Sequence, residues 1–263
     1  MFEVEQIAPH TWEFLDEGQD SFYLVTGEHT AAVIDTGITM GGRILPEIRR
    51  ITQLPVILVL THAHHDHLHH MDEFSTVYMC HEELALPGKF LQEMMKGKAL
   101  DLSGTKDIRT GSCIDLGGRR LEICQVPGHT PGSVAIWEAS ENLLFTGDAI
   151  GSGCGVWMQL PGSLPLVEYV QNLRIFMRWL VERGGRMRFF GGHNRQPRYS
   201  KQIPGFNPIS LGLLADLIDL AEGVADGRII GTPCDAPTYS DETALYAAFG
   251  RAEMIYRGSN IRD

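Results

Sequence analysis

The 263-residue chain contains no apolar run approaching the roughly 20 residues that a membrane-spanning helix needs. Positive charge is also scarce: 22 lysines and arginines face 33 aspartates and glutamates, leaving a formal net charge of −11. A nucleic-acid partner is therefore not expected, since a binding stripe must neutralise several phosphates and none is visible. The five cysteines (Cys80, Cys113, Cys124, Cys154, Cys234) are odd in number and scattered, without a CxxC pair. That argues against a disulfide framework and against a structural zinc knuckle. No low-complexity tract is present. The opening "MFEVEQIAPHTWEF" carries acids where a signal peptide would carry lysines and then an apolar segment. The expectation is a cytoplasmic protein with no membrane partner.

What is present reads as alternating strands and helices. "SFYLVTG" (21–27) and "AAVIDTG" (31–37) form a predicted hairpin around Gly27, Glu28 and His29. "MGGRILPEIRRIT" has helical spacing at Ile44, Leu45, Ile48 and Ile51. "PVILVL" (55–60) is continuously apolar, as in a strand covered on both faces. A short strand "TVYMC" (76–80) and a helix from about Glu82 to Lys96 follow. The second half repeats the grammar: "RRLEICQVPG", "GSVAIWEA", "NLLFTGD" and "MRFFGGH" read as strands, and "PLVEYVQNLRIFMRWLVERGG" as a helix that stops at Gly184. Such alternation predicts an α/β fold. Residues 1–204 read as the catalytic domain, and 205–263 as an extension packed on it, because so short a tail buries little alone.

The densest chemical signal is "THAHHDH", which is His62-x-His64-x-Asp66-His67. It follows a buried strand directly, where ligands bind in α/β folds. In an extended segment residues two apart point the same way, so His62 and His64 converge on one ion. The chain then turns, and Asp66 and His67 face a second position. Imidazole nitrogen and carboxylate oxygen both suit zinc. Three more candidates end strands: His129 in "VPGHTPGS", Asp148 in "LLFTGDAI" and His193 in "FFGGHN". Each alone is a weak signal, since Gly-His and Gly-Asp pairs at strand ends are usually turns. Together they complete two metal positions. The spare imidazoles His65, His69, His70 and His81 read as solvent-facing or supporting groups.

In these motifs and their order, roughly residues 20 to 195, the sequence resembles the metallo-β-lactamase superfamily of binuclear metallohydrolases. The resemblance implies a four-layer αββα sandwich with metals at one edge of the two sheets. It implies that His62, His64 and His129 hold one divalent ion, that Asp66, His67 and His193 hold the other, and that Asp148 bridges both. Asp35 in "VIDTG" matches the first motif, whose acid supports the metal loop by hydrogen bonding. The implied cofactor is a pair of zinc ions, with manganese or iron compatible with the same donors. Such a pair lowers the pKa of a shared water from 15.7 to about 7 and polarises the substrate carbonyl. Asp66 then holds the nucleophile and passes a proton to the leaving group.

The presence of Asp148 argues against antibiotic hydrolysis, because β-lactamases of this fold carry cysteine or serine there. The closest pattern is the glyoxalase II-like and lactonase-like group, which implies hydrolysis of a small ester, thioester or lactone. The tail lacks a glutathione-binding basic cluster. Phosphodiester hydrolysis, and a metal-loaded sensor without turnover, stay open as alternatives. "NRQPRYSK" (194–201) offers Arg195, Arg198 and Lys201 as a clamp for an anionic small molecule, or simply a solvated loop. Tyr199 is a candidate donor to a developing oxyanion. Segments 85–100 (Phe90, Leu91, Met94, Met95) and 151–163 (Trp157, Met158) either cap the cavity or pack as ordinary core. Cys154 has no paired base. An oligomer is compatible with the sequence and not required by it.

Overall fold

A computed structural model of the chain describes residues 2–17, 19–39, 42–153, 155–195, 198 and 208–262. The first sheet has seven strands in chain order: β1 (Glu3–Ala8), β2 (Thr11–Leu15), β3 (Ser21–Thr26), β4 (Ala31–Ile34), β5 (Val56–Val59), β6 (Val77–Met79) and β7 (Lys106–Asp107). Pairing is antiparallel from β1 to β4 and parallel from β4 to β7. The expected hairpin is β3–β4, closed at Thr26 and Ala31. The chain continues through β8 (Cys113–Asp115), β9 (Arg120–Gln125), β10 (Val134–Glu138), β11 (Leu143–Gly147), β12 (Val156–Met158), β13 (Arg188–Gly191), β14 (Thr232–Cys234), β15 (Ala244–Phe249) and β16 (Ala252–Tyr256). The second sheet runs β13-β11-β10-β9-β8, and a smaller third one β12-β16-β15-β14. Helices are α1 (Leu45–Arg49), α2 (His65–Leu68), α3 (Gly88–Met94), α4 (Leu166–Glu182) and α5 (Leu211–Ala225).

Side-chain alternation along the strands explains the layering. In β3, Tyr23 and Val25 face inward to Ile123, Ile136 and Phe145 of the second sheet. Phe22 and Leu24 face the other way, with Ile48 of α1, Leu68 of α2 and Leu91 of α3. A strand covered on both faces must be apolar throughout, which is why these segments read as continuous greasy runs. The outer face of the second sheet, through Cys124, Ala135 and Leu144, packs on Leu173 and Phe176 of α4 and Leu214 and Leu217 of α5. Helices, sheet, sheet, helices: the fold is the four-layer αββα sandwich.

Two helices are shorter than their periodicity predicts. Pro46 starts α1 late, in its first turn, and the helix lasts five residues. The stretch 82–96 splits into a 3-10 turn (His81–Ala85) and α3, because Pro87 forces Leu86 into an extended conformation. In the extension, α5 shares one apolar cluster with α4, and β16 pairs in parallel with β12. Among the described residues no helix is long and apolar enough to cross a membrane.

Tyr23 ties the two sheets together, its buried hydroxyl donating to the Gly191 carbonyl at 2.6 Å. Tyr23→Phe removes that bond alone and is expected to lower unfolding free energy by about 1 kcal/mol in urea titration.

Candidate metal centre

All seven candidate side chains leave one edge of the sandwich. His64, in an extended conformation, leads into one helical turn, α2, which carries Asp66 and His67 around to a second direction. Asp148 follows β11 and His193 follows β13. These strands are parallel neighbours with Gly147 paired to Gly191, so the two ligand-type residues emerge side by side. Asp148 Oδ2 is 3.2 Å from His193 Nε2 and 3.7 Å from His67 Nε2. His129 arrives on the loop between β9 and β10, with its Nε2 2.9 Å from His64 Nδ1. Glycine precedes both strand-end ligands because nothing larger fits. A Cβ on Gly192 would meet His67 Cε1 at 2.4 Å, and one on Gly147 would meet Thr61 Oγ1 at 2.2 Å.

Three donor groups result: His62, His64 and His129; Asp66, His67 and His193; and His62, His67 and Asp148. Within each, the donor atoms lie within 4.8 Å of one another. The third group draws one histidine from each of the others, so Asp148 sits between the two positions.

Four of the five rings, those of His62, His67, His129 and His193, are oriented by a partner outside the donor set. Asp35 accepts from the Thr61 amide (2.8 Å), the Thr61 hydroxyl (2.7 Å) and His67 Nδ1 (2.9 Å). The Thr61 hydroxyl in turn accepts from His62 Nδ1 at 3.1 Å. His129 Nδ1 donates to the Trp157 carbonyl at 2.7 Å. His193 Nδ1 lies 2.9 Å from Asp20 Oδ1. Sequence reading missed Asp20, which carries no local signal in "EGQDSF". It also missed Glu83. That fully buried carboxylate accepts from the Ala63 amide and the Gly132 amide, both at 2.6 Å, joining the loop of His62 and His64 to that of His129. Burial pushes its pKa up to about 7.

Electrostatics divide the cluster. Burial, with neighbouring imidazoles, lowers the pKa of His62 and His64, and burial lowers that of His129 against the pull of Asp148. These three stay neutral at pH 7, the form in which imidazole binds a metal. Burial works against charge on Asp66 and Asp148, but His67 and His193 outweigh it and hold both carboxyls well below their usual range. The Nε2 atoms of His62, His64 and His67 are buried and have no hydrogen-bond partner. Polar atoms in that condition are costly unless a cation takes them. Nitrogen and carboxylate donors so placed fit zinc, manganese or iron.

The sequence matches the metallo-beta-lactamase superfamily over residues 15–193. The chain belongs to that superfamily. It is 28% identical over 207 residues to the acyl-coenzyme A thioesterase MBLAC2 of Bos taurus, covering 66% of this chain and 72% of that protein. A hydroxyacylglutathione hydrolase of Serratia proteamaculans is 31% identical over 113 residues, covering 43% of this chain and 40% of that one. Among solved structures, a metallo-beta-lactamase from Pontibacter korlensis superimposes with a TM-score of 0.60 at 20% identity, over 84% of this chain and 99% of that one.

On this superfamily fold a cavity of about 240 Å³ opens beside the donors, with Asp66, Asp148 and His193 lining one end and Met94, Trp157 and Leu160 the other. Arg195 and Arg198 are not among its described lining residues. Arg195 pairs with Glu3 (2.6 Å), Glu5 and Glu13 (3.3 Å). Arg198 pairs with Glu253 at 3.3 Å and donates to the Arg251 carbonyl at 3.1 Å. Both guanidinium groups are thus paired with the protein's own carboxylates. Tyr199, Lys201 and Cys154 lie outside the described residues. Of the spare imidazoles, His65 lines the cavity and His70 pairs with Glu73 at 3.0 Å.

Two outcomes are expected. Asp20→Asn weakens the partner of His193 and should lower zinc affinity by roughly 10- to 100-fold in competition with a chromogenic chelator, with far-UV circular dichroism unchanged. Glu83→Gln turns an amide toward one of two backbone N–H groups and should cost about 1–3 kcal/mol in urea unfolding.

Proposed function

We propose that the chain is a divalent-metal-dependent hydrolase of small-molecule thioesters. The observation that carries this reading is the set of three overlapping donor groups at the floor of a cavity whose far wall is apolar. His62, His64 and His129 would hold one cation, Asp66, His67 and His193 the other, with Asp148 shared. When bound, such a pair supplies Lewis acidity toward a carbonyl oxygen and brings the pKa of water near neutrality.

The chain's own groups supply the rest. Asp35, Asp20, Thr61 and the Trp157 carbonyl fix the ring orientations, so no reorganisation accompanies the reaction. Asp66 lines the cavity with Oδ2 3.4 Å from His193 Nε2, placed to accept the proton of the attacking water and return it to sulfur as the C–S bond breaks. A thiol of pKa about 8.5 leaves with little protonic help, which favours thioesters over alkyl esters where Asp66 is the one group placed to return a proton. The two relatives named above are thioester hydrolases by name, which supports the same choice. Phosphodiester hydrolysis loses its one sequence-level support, since Arg195 and Arg198 are paired with glutamates.

Asp148→Ala, or separately His67→Ala, is expected to lower thioester turnover by more than the roughly 100-fold that changes outside the donor set cost, with far-UV circular dichroism nearly unchanged. A metal-replete Asp148→Ala variant with wild-type turnover would rule the mechanism out.

A further inference from the structure

The C-terminal segment supplies part of the cavity's apolar wall. Between β14 and β15 the chain brings Pro237 and Tyr239 to the cavity edge. Tyr239 adopts a left-handed backbone conformation, φ 53°, which a residue with a large side chain holds only where its surroundings impose it. Buried Thr238 supplies such a constraint, its hydroxyl lying 2.9 Å from the Glu242 carbonyl and 3.1 Å from that of Ser240. The Tyr239 ring meets Phe90 of α3 edge-on, centroids 5.0 Å apart, and Phe90 meets His64 in the same way at 5.7 Å. Phe90, Met94, Leu160 and Trp157 form a single apolar cluster beneath it. Tyr239 is nonetheless 51% exposed, leaving ring surface for a ligand to cover. No lysine or arginine occurs among the described residues that line the cavity.

We infer that this wall is the acyl subsite, that the acyl group is an uncharged aliphatic chain of short to medium length, and that Tyr239 is a specificity-determining residue. The inference rests on the thioesterase reading above. At roughly 30 Å³ per group, the volume of a water molecule in the liquid, a space of about 240 Å³ sets an upper bound of about eight carbons, since the scissile group shares it. Longer chains emerge past Tyr239 into solvent and gain nothing more. Charged or hydroxylated acyl groups lose hydration against Met94, Leu160 and Trp157 without a partner in return.

The test uses the metal-replete enzyme and N-acetylcysteamine thioesters of straight-chain acids from acetyl to dodecanoyl, so that only the acyl group varies. The value of kcat/KM should rise about fourfold per added methylene and level off near eight carbons. The octanoyl-to-acetyl ratio should fall at least tenfold in Tyr239→Ala and stay within about twofold of wild type in Tyr239→Phe. A flat chain-length profile, or preference for a hydroxylated acyl group of equal length, overturns the inference while the thioesterase reading stands. If no thioester is turned over, that reading fails, and calorimetry with straight-chain carboxylates from acetate to octanoate decides the subsite. Affinity rising about fourfold per methylene supports it, and uniform affinity ends it.

Discussion

Asp35 is the residue around which the site is assembled. It stands at the end of β4 in a left-handed conformation, φ 60°, and its two oxygens reach both halves of the histidine loop. One half, through Thr61, sets the orientation of His62. The other is His67 itself. A carboxylate buried this deeply is costly unless its lone pairs are filled, and here three donors fill them. Asp20 and Glu83 repeat the device at His193 and at the loop of His129. Three buried acids, none of them in a donor group, thus orient His62, His67 and His193 and tie the loop of His62 and His64 to that of His129.

The layered fold makes this possible, because all those ends meet at one edge. Parallel pairing of β11 and β13, with Gly147 opposite Gly191, brings the turns that carry Asp148 and His193 side by side. Tyr23 then carries the first sheet to the Gly191 carbonyl, close to that edge. A shift of one residue in either sheet would turn these side chains to the opposite face. Sheet register brings the four strand ends together, and the turns that follow them aim the donors.

Much of this was legible in the sequence, for unequal reasons. The His62–His67 cluster showed itself because its spacing is local and its context, a buried strand, is written in the preceding residues. The strands ending at Asp148 and His193 were legible as apolar runs that stop at a Gly-Asp or Gly-Gly-His. Asp20 and Glu83 were not, since what distinguishes them from surface acids is a partner far along the chain. The glutamate partners of Arg195 and Arg198 were illegible for the same reason. In a chain of net charge −11 a basic loop looks like an offer to an anion, yet Glu3, Glu5, Glu13 and Glu253 reach those guanidinium groups first through tertiary contact. The broken helix at 82–96 was foreseeable, because Pro87 stands within it.

The site's two ends obey different constraints. The donors tolerate little change, since His62, His67, His129 and His193 are each held from one side by a buried partner and a change there reaches the whole cluster. The far wall is built otherwise: Trp157 comes from β12, Phe90 and Met94 from a short helix bounded by a proline, and Tyr239 from a loop of the third sheet. That sheet is tied to the rest by the β12–β16 pairing and by the core that α5 shares with α4, so it cannot drift away. Its loop, however, carries no donor and no partner of a donor. Substitutions there alter what the cavity holds while leaving the charge balance around Asp35 untouched. A fold arranged in this way draws the donors and the apolar lining of the cavity from different parts of the chain, with Pro237 and Tyr239 of the C-terminal segment among the latter.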